Sequence, residues 1–220
     1  MKKSLAKQQN IDGQPFVTVY YTLSPSYPPE KFWVFSRRRR NEIKKCKNEK
    51  VKAEKYYAWK LLEYALSSSL GACVRKIKFY LGDNGKWKCR DYQFSISHSN
   101  RVVAVAISNQ PVGVDVEKVT LPKTERILDK VLSNEELNEY NLASERKKSY
   151  IFTRFWTKKE SIFKMMDKKS FLLENPKTFD MPVETKHLSQ NGEDFMLSIC
   201  AKDLSHLKII EVDGEKWFKN

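Results

Sequence analysis

The chain has 220 residues, of which 40% are hydrophobic and 31% charged, with a formal net charge of +14. That composition excludes a disordered or fibrous chain, and the length allows one domain or two small ones with a sizeable core. The positive excess points to an anionic partner, whether nucleic acid, a phosphate-bearing ligand, an acidic protein or a membrane surface. Cys46, Cys73, Cys89 and Cys200 form no C-x-x-C pair, and their spacing suits neither a zinc site nor a compact disulfide framework. His98, His187 and His206 are too scattered for a histidine-rich metal site. The N-terminus lacks an apolar leader core and no run approaches transmembrane length, so a soluble, cytoplasmic protein with reduced thiols is expected.

In chain order, residues 1–14 read as a loose polar start and Phe16 to Leu23 as a strand. After a Pro/Ser loop from Ser24 to Pro29, the chain reads as helical from Ser36, with no Pro or Gly until Gly71, a C-cap candidate. Tyr57, Leu61, Leu62, Tyr64, Ala65 and Leu66 form the apolar face of that helix. Ile77 to Tyr80 is a short strand, Asp83 to Lys86 a turn, and Phe94 to Ser97 an alternating strand leading to His98. Val102 to Ile107, a turn at Ser108 to Pro111, and Val112 to Glu117 read as a β-hairpin. Pro122 to Leu132 reads as a helix. Ser133 with Glu136 three residues on is a capping box, and a long helix runs from about Ser144 to Asp167. The tail offers strands at Phe195 to Ala201 and Leu207 to Val212. These elements predict a mixed α/β (α+β) single chain of two similar-sized halves, 1–110 and 111–220, with no flexible linker between them.

Two stretches carry candidate chemistry. In Gly113-Val114-Asp115-Val116-Glu117 the strand period puts Asp115 and Glu117 on one face and the valines on the other. Two adjacent carboxylates suit a hard divalent cation such as Mg²⁺, which shares oxygen ligands with phosphates; a solvated strand face bearing two acids is the plainer alternative. On the long helix, Glu160 and Lys164 stand one turn apart. They form either a surface ion pair, contributing only ~0.2–0.5 kcal/mol, or a third metal ligand and a phosphate-reaching ammonium.

Taken together, Gly113-x-Asp115-x-Glu117 and Trp156-Thr157-x-Lys159-Glu160-Ser161-x-x-Lys164 resemble the paired signature of the 4′-phosphopantetheinyl transferases. Phe94-Ser95-Ile96-Ser97-His98-Ser99 is similar to that family's Ser-His segment, and the two-half layout to its larger, Sfp-type branch. The resemblance runs from about Ser36 to Lys164. The chain departs from the family pattern at Gly85-Lys86-Trp87, where Gly-Lys-Pro is usual, and at Ser95, where Asn is frequent. The resemblance implies a pseudo-twofold fold with the active site at the junction of the halves. It further implies Mg²⁺-dependent transfer of the phosphopantetheine arm of coenzyme A to a serine hydroxyl of an apo acyl or peptidyl carrier protein, releasing adenosine 3′,5′-bisphosphate. Asp115, Glu117 and Glu160 are then the metal ligands, with Lys164, His98 and, more weakly, Ser97 around the phosphates. Glu160, directly or through a metal-bound water, or Glu136 is the base, and Glu136 has its capping role as an equal alternative. His98 as a turn residue with no ligand remains the alternative to its phosphate role. A monomer acting on coenzyme A and carrier protein, with no nucleic acid or membrane partner, follows from the same resemblance.

Eleven Lys/Arg against three acids lie between Ser36 and Lys60, more than half of the net charge. The resemblance makes Arg39, Arg40, Lys44 and Lys55, with Lys86 of the turn, candidates for the 3′-phosphate of coenzyme A; most of the eleven read equally as a solvated helix face. The rival classes are a basic nucleic-acid-binding module, with Tyr56, Tyr57 and Trp59 among the lysines, and a metal-dependent nuclease using the three acids. The first leaves Asp115, Glu117 and Glu160 unexplained, and the second leaves Ser97-His98 unexplained.

Overall fold

All seven residues of Val102–Ser108 are buried, which requires neighbours on both edges and both faces of that strand, β5. Its edges are taken by β4 (Gln93–Ser99) and β1 (Val17–Leu23), both antiparallel to it. A last strand, β9 (Leu207–Glu211), lies parallel beside β1 and completes a sheet of order β4-β5-β1-β9. This is the arrangement in a computed structural model, which describes residues 13–30, 33–168 and 178–214. The polar start read over residues 1–14 lies, through residue 12, outside the described residues.

Side-chain alternation along β5 sets the layers. Val103, Val105 and Ile107 pack against α2 (Glu49–Leu70) through Trp59, Leu61, Leu62 and Leu66. Val102, Ala104 and Ala106, with Val17, Val19 and Tyr21 of β1, face a second sheet. That sheet is antiparallel in the order β6-β8-β7, from β6 (Val112–Lys118), β8 (Glu193–Ala201) and β7 (Val183–Gln190). Its far side carries α5 (Glu145–Met166), where Ile162 and Met165 meet Cys200. The result is a mixed α/β stack of helix, sheet, sheet and helix. The short α3 (Arg126–Val131) and α4 (Asn134–Leu142) pack through Leu128, Val131 and Tyr140 onto Phe152 and Phe155 of α5. No helix among the described residues is long and apolar enough to cross a membrane.

The structure corrects three expectations. Val102 to Glu117 is not a hairpin: β5 pairs with β1 and β4, whereas β6 pairs with β8, so the turn at 108–111 carries the chain from one sheet to the other. The long helix from Ser36 divides into α1 (Arg37–Lys45) and α2, with Cys46 extended between them. Asn48 starts the second helix by accepting the Val51 N–H on its side chain, a cap that needs no Pro or Gly to end the first. Two strands went unread, β7 and the short β3 (Trp87–Cys89), which pairs with β2 (Phe79–Leu81). Gly71 does cap α2 in the left-handed region, at φ 60°.

The edge strand β6 lies against the inner face of β4. Its outward N–H groups find no backbone partner there and must be satisfied otherwise. Ser95, Ser97 and Ser99, at alternate positions of β4, supply the acceptors. Their hydroxyl oxygens accept from the N–H groups of Val114 at 3.1 Å, Val116 at 3.2 Å and Lys118 at 3.4 Å. A ladder of three serines thus joins the two sheets.

Candidate active site

The site begins with a residue that has no side chain. A Cβ on Gly113 would stand 1.8 Å from the Ser161 carbonyl oxygen and 2.6 Å from the Met165 nitrogen. Only glycine lets the backbone of α5 approach β6 this closely. Because Gly113 is two residues before Asp115, that contact brings Asp115 beside the turn of α5 bearing Glu160 and Lys164.

Asp115 is 2% exposed. Its Oδ1 accepts from Lys164 Nζ at 2.6 Å and from Ser97 Oγ at 2.8 Å. Ser97 Oγ also accepts from Lys164 Nζ at 3.1 Å, so one serine hydroxyl binds the β6 backbone, the acid and the ammonium. Ser99 joins the β6 backbone to the next acid, accepting from the Lys118 N–H and donating to Glu117 Oε2 at 2.5 Å. Asp115 Oδ2, by contrast, is buried with no hydrogen-bond partner.

The acids disturb one another. Burial first, then the charge of Asp115, pushes Glu117 up to about 7, against Ser99 and Lys164, which favour its ionised form. Glu160 is raised for the same two reasons, burial and Asp115, with Lys164 opposing. Lys164 takes one oxygen of Asp115, and among the described residues no three His, Cys, Asp or Glu side chains close around a common point. The donor set still fits a hard divalent cation. It offers carboxylate oxygens only, one of them buried and unpartnered, and a mutual repulsion that added positive charge relieves.

Beside the acids opens a cleft of about 280 Å³. Asn84, Gly85, Lys86 and Trp87 form one wall and Glu160, Phe163, Lys164 and Lys168 the other, with Arg39, Ser95 and His98 between. His98 is oriented by Glu54 of α2, whose Oε2 lies 3.0 Å from His98 Nδ1. Lys86 Nζ donates to the carbonyls of Val112, at 3.3 Å, and Lys164. Burial draws the Lys86 ammonium down to about 8; Asp167 opposes that shift, and Lys88 and Lys164 add to it.

Asp115, Glu117, Glu160, Lys164 and Ser97 are therefore brought together, with His98, Lys86 and Arg39 along the cleft. The other candidates stand apart. Glu136 is 0% exposed: it completes the capping box with Ser133, pairs with the equally buried Lys159 at 2.8 Å and accepts from Thr178 Oγ1 at 2.5 Å. It does not line the cleft. Glu42 binds both Arg39, at 2.8 Å, and Lys55, at 3.1 Å. The Arg40 guanidinium lies 3.5 Å from the centre of the Trp33 ring, and Lys44 is exposed on the outer face of α1. Sequence reasoning missed the ladder roles of Ser95 and Ser99 and the partnership of Lys159 with Glu136. The serines at every second position of one strand were the available signal; Lys159 gave none, because its partner is distant in sequence.

Comparison with known proteins converges on the same elements. Residues 111–212 match the model of the 4′-phosphopantetheinyl transferase superfamily, a span that includes β6 and α5. The chain is similar to the 4′-phosphopantetheinyl transferase Sfp of Bacillus subtilis (strain 168), 35% identical over 125 residues, covering 56% of this chain and 51% of that one. A second Bacillus subtilis 4′-phosphopantetheinyl transferase is 32% identical over 111 residues, 49% of each chain. The 4′-phosphopantetheinyl transferase gsp of Aneurinibacillus migulanus is 36% identical over 85 residues, 37% of this chain and 34% of its own. The chain thus spans about half the length of the first two of these relatives and a third of the last. The strand and helix of the acid cluster lie inside the matched span, so over residues 111–212 the chain is similar to the 4′-phosphopantetheinyl transferase superfamily.

Proposed function

We propose that this protein transfers the 4′-phosphopantetheine arm of coenzyme A to a serine hydroxyl of an apo acyl or peptidyl carrier protein, with Mg²⁺ held by Asp115, Glu117 and Glu160. The observation that carries the reading is the placement of Glu160 and Lys164 on a cation-lined cleft, with Lys164 Nζ bound to the buried Asp115, whose Oδ2 has no hydrogen-bond partner among the described residues.

In the reaction the serine oxygen of the carrier attacks the phosphorus on the pantetheine side of the diphosphate. A new P–O bond forms, the P–O bond to the adenosine side breaks, and adenosine 3′,5′-bisphosphate leaves. The divalent ion, when bound, supplies charge neutralisation on the diphosphate oxygens. This chain's residues do the rest. Glu160, its carboxyl raised by burial and by Asp115, accepts the serine proton. Lys164 donates to a phosphate oxygen, and Ser97 keeps its ammonium aimed. His98, fixed through Nδ1 by Glu54, offers its other ring nitrogen to the same group. Glu136 is assigned a structural part, since its two oxygens already bind Ser133, Thr178 and Lys159.

Intact mass spectrometry of an apo carrier protein incubated with this protein, coenzyme A and Mg²⁺ is the direct test. The carrier should gain the mass of one phosphopantetheine, and should gain nothing in excess EDTA. An unmodified carrier together with Mg²⁺-dependent nicking of plasmid DNA would replace this reading with a nuclease.

A further inference from the structure

Asp167 ends α5 with φ at 62°, in the left-handed region where glycine is favoured. Aspartate tolerates that region better than most residues, but the position does not call for a carboxylate. The side chain is held by the β2–β3 hairpin. Asn84 Nδ2 donates to the Asp167 carbonyl at 2.7 Å and to Oδ1 at 2.6 Å, and Lys88 Nζ donates to Oδ2. Burial works to raise this carboxyl, but Lys88 and Asn84 overcome it and leave it below its ordinary value.

The strands of the hairpin are anchored on the first core through Phe79, Trp87 and Cys89, with the Phe79 and Trp87 rings against Trp59, so the apolar packing holds the strands and polar bonds hold the tip of the turn. The β2–β3 hairpin pairs with neither larger sheet. Its turn closes on itself through Gly82 N–H to Lys86 O and Gly85 N–H to Gly82 O, and Asn84 Oδ1 accepts the Lys86 N–H at 3.0 Å. Among the described residues, bonds from this turn to the second half include those of Asn84 and Lys88 to Asp167, and of Lys86 to the carbonyls of Val112 and Lys164. Asn84, Gly85, Lys86 and Trp87 are one wall of the cleft, and the last turn of α5 is the other. The acid therefore ties wall to wall, and it stands among cations that repel one another: Lys88 and Lys164 both disfavour the charged form of Lys86, and Asp167 favours it.

We propose that Asp167 is a positioning residue, latching the β2–β3 turn to the end of α5 and so fixing the width of the cleft for the diphosphate and nucleotide end of coenzyme A. The choice of ligand rests on the transferase reading; the latch itself does not. Its removal loosens the wall and costs binding more than chemistry, so KM for coenzyme A rises more than kcat falls.

The test uses Asp167→Gly, which removes both side-chain bonds of the latch, leaving only the Asn84 bond to the backbone carbonyl, while supplying the residue that the backbone prefers, so that the melting temperature holds or rises. Hydrogen exchange of the amides in residues 82–88 and calorimetric binding of coenzyme A are measured on the full chain. The expected result is faster exchange at Lys86 and about tenfold weaker coenzyme A binding, the scale of a lost charge-assisted hydrogen bond. Asp167→Asn, which keeps an acceptor for Asn84 but loses the charge for Lys88, should fall between; it carries the same two readouts if the glycine variant fails to fold. Unchanged exchange overturns the latch. Faster exchange with unchanged affinity overturns its role in the cleft. A wild-type protein that fails to bind coenzyme A overturns the transferase reading instead, and the exchange data still decide the latch.

Discussion

The acidic strand and the basic first helices make an instructive pair. Four residues, Asp115, Glu117, Glu160 and Lys164, converge because two periodic elements are locked at a single contact, Gly113 on Ser161. Once that contact is set, strand alternation and the helical turn place the rest. The basic segment holds eleven cations and yields no comparable convergence. Arg39 and Lys55 share Glu42, Arg40 covers Trp33, and Lys44 faces outward. A site is encoded by geometry that repeats along the chain; charge density alone encodes a surface.

The sharpest way to break the comparison is to remove the acids. Asp115→Ala, Glu117→Ala and Glu160→Gln are each expected to lower kcat/KM for carrier modification on the order of 10³-fold, the scale of losing a preorganised electrostatic group. Turnover close to wild type in any two, at saturating Mg²⁺ and with melting temperatures retained, removes the metal-site assignment. Next in size is the contact beneath them. Gly113→Ala drives a Cβ into helix backbone, which cannot rotate away, and should destabilise the protein by about 1–3 kcal/mol. Denaturant midpoints read this directly. Lys44→Ala, on the basic side, should stay within about 0.5 kcal/mol of wild type. Equal midpoints for the two variants would mean that α5 can slide on β6, and that the convergence is not fixed at Gly113.

A smaller effect separates cations that touch ligand from those that only surround it. The wild type should prefer coenzyme A to dephospho-coenzyme A by about tenfold, since a charge-assisted bond to one phosphate contributes roughly 1.5–3 kcal/mol. Arg39→Ala and Lys86→Ala, altering residues that line the cleft, should reduce that preference. Arg40→Ala and Lys44→Ala should weaken both ligands alike, and less so at high salt. Calorimetry with both ligands at two salt concentrations checks each variant. If Lys44→Ala alone abolished the preference, the 3′-phosphate would lie on the outer face of α1.

Where the fold was legible, the signal was local. The capping box of Glu136, the glycine cap at Gly71, the long helix to Asp167 and the shared face of Asp115 and Glu117 are set within a few residues of sequence. What failed was non-local. An apolar strand does not announce its partners, so two strands in succession read as a hairpin when they belong to different sheets. Ser97 looked minor because its hydroxyl gains its three partners only when β6 and α5 lie beside it. Lys159, inside a charged run, gave no sign of being fully buried, because the acid that accompanies it is on another helix.

The two regions also differ in how they hold protons. In the basic region Glu42 already neutralises its neighbours, whereas the acidic side holds like charges together, and Glu117 rises to about 7 under burial and Asp115. A carboxyl raised in the folded state binds its proton more tightly there than in the unfolded chain. Its contribution to stability is therefore complete below the ordinary value of 4.5 and is lost as pH rises through about 7. In EDTA the melting temperature should fall between pH 5 and pH 8, and Glu117→Gln should flatten that slope. Metal binding requires the ionised form, so Mg²⁺ should displace the proton. Because the carboxyl is raised toward neutrality, Mg²⁺ binding near pH 7 should release part of a proton per site. Titration of Mg²⁺ by calorimetry in two buffers of different ionisation enthalpy measures this release. A release that is the same in wild type and Glu117→Gln would assign the proton to another group, and Glu117 would no longer be counted among the ligands.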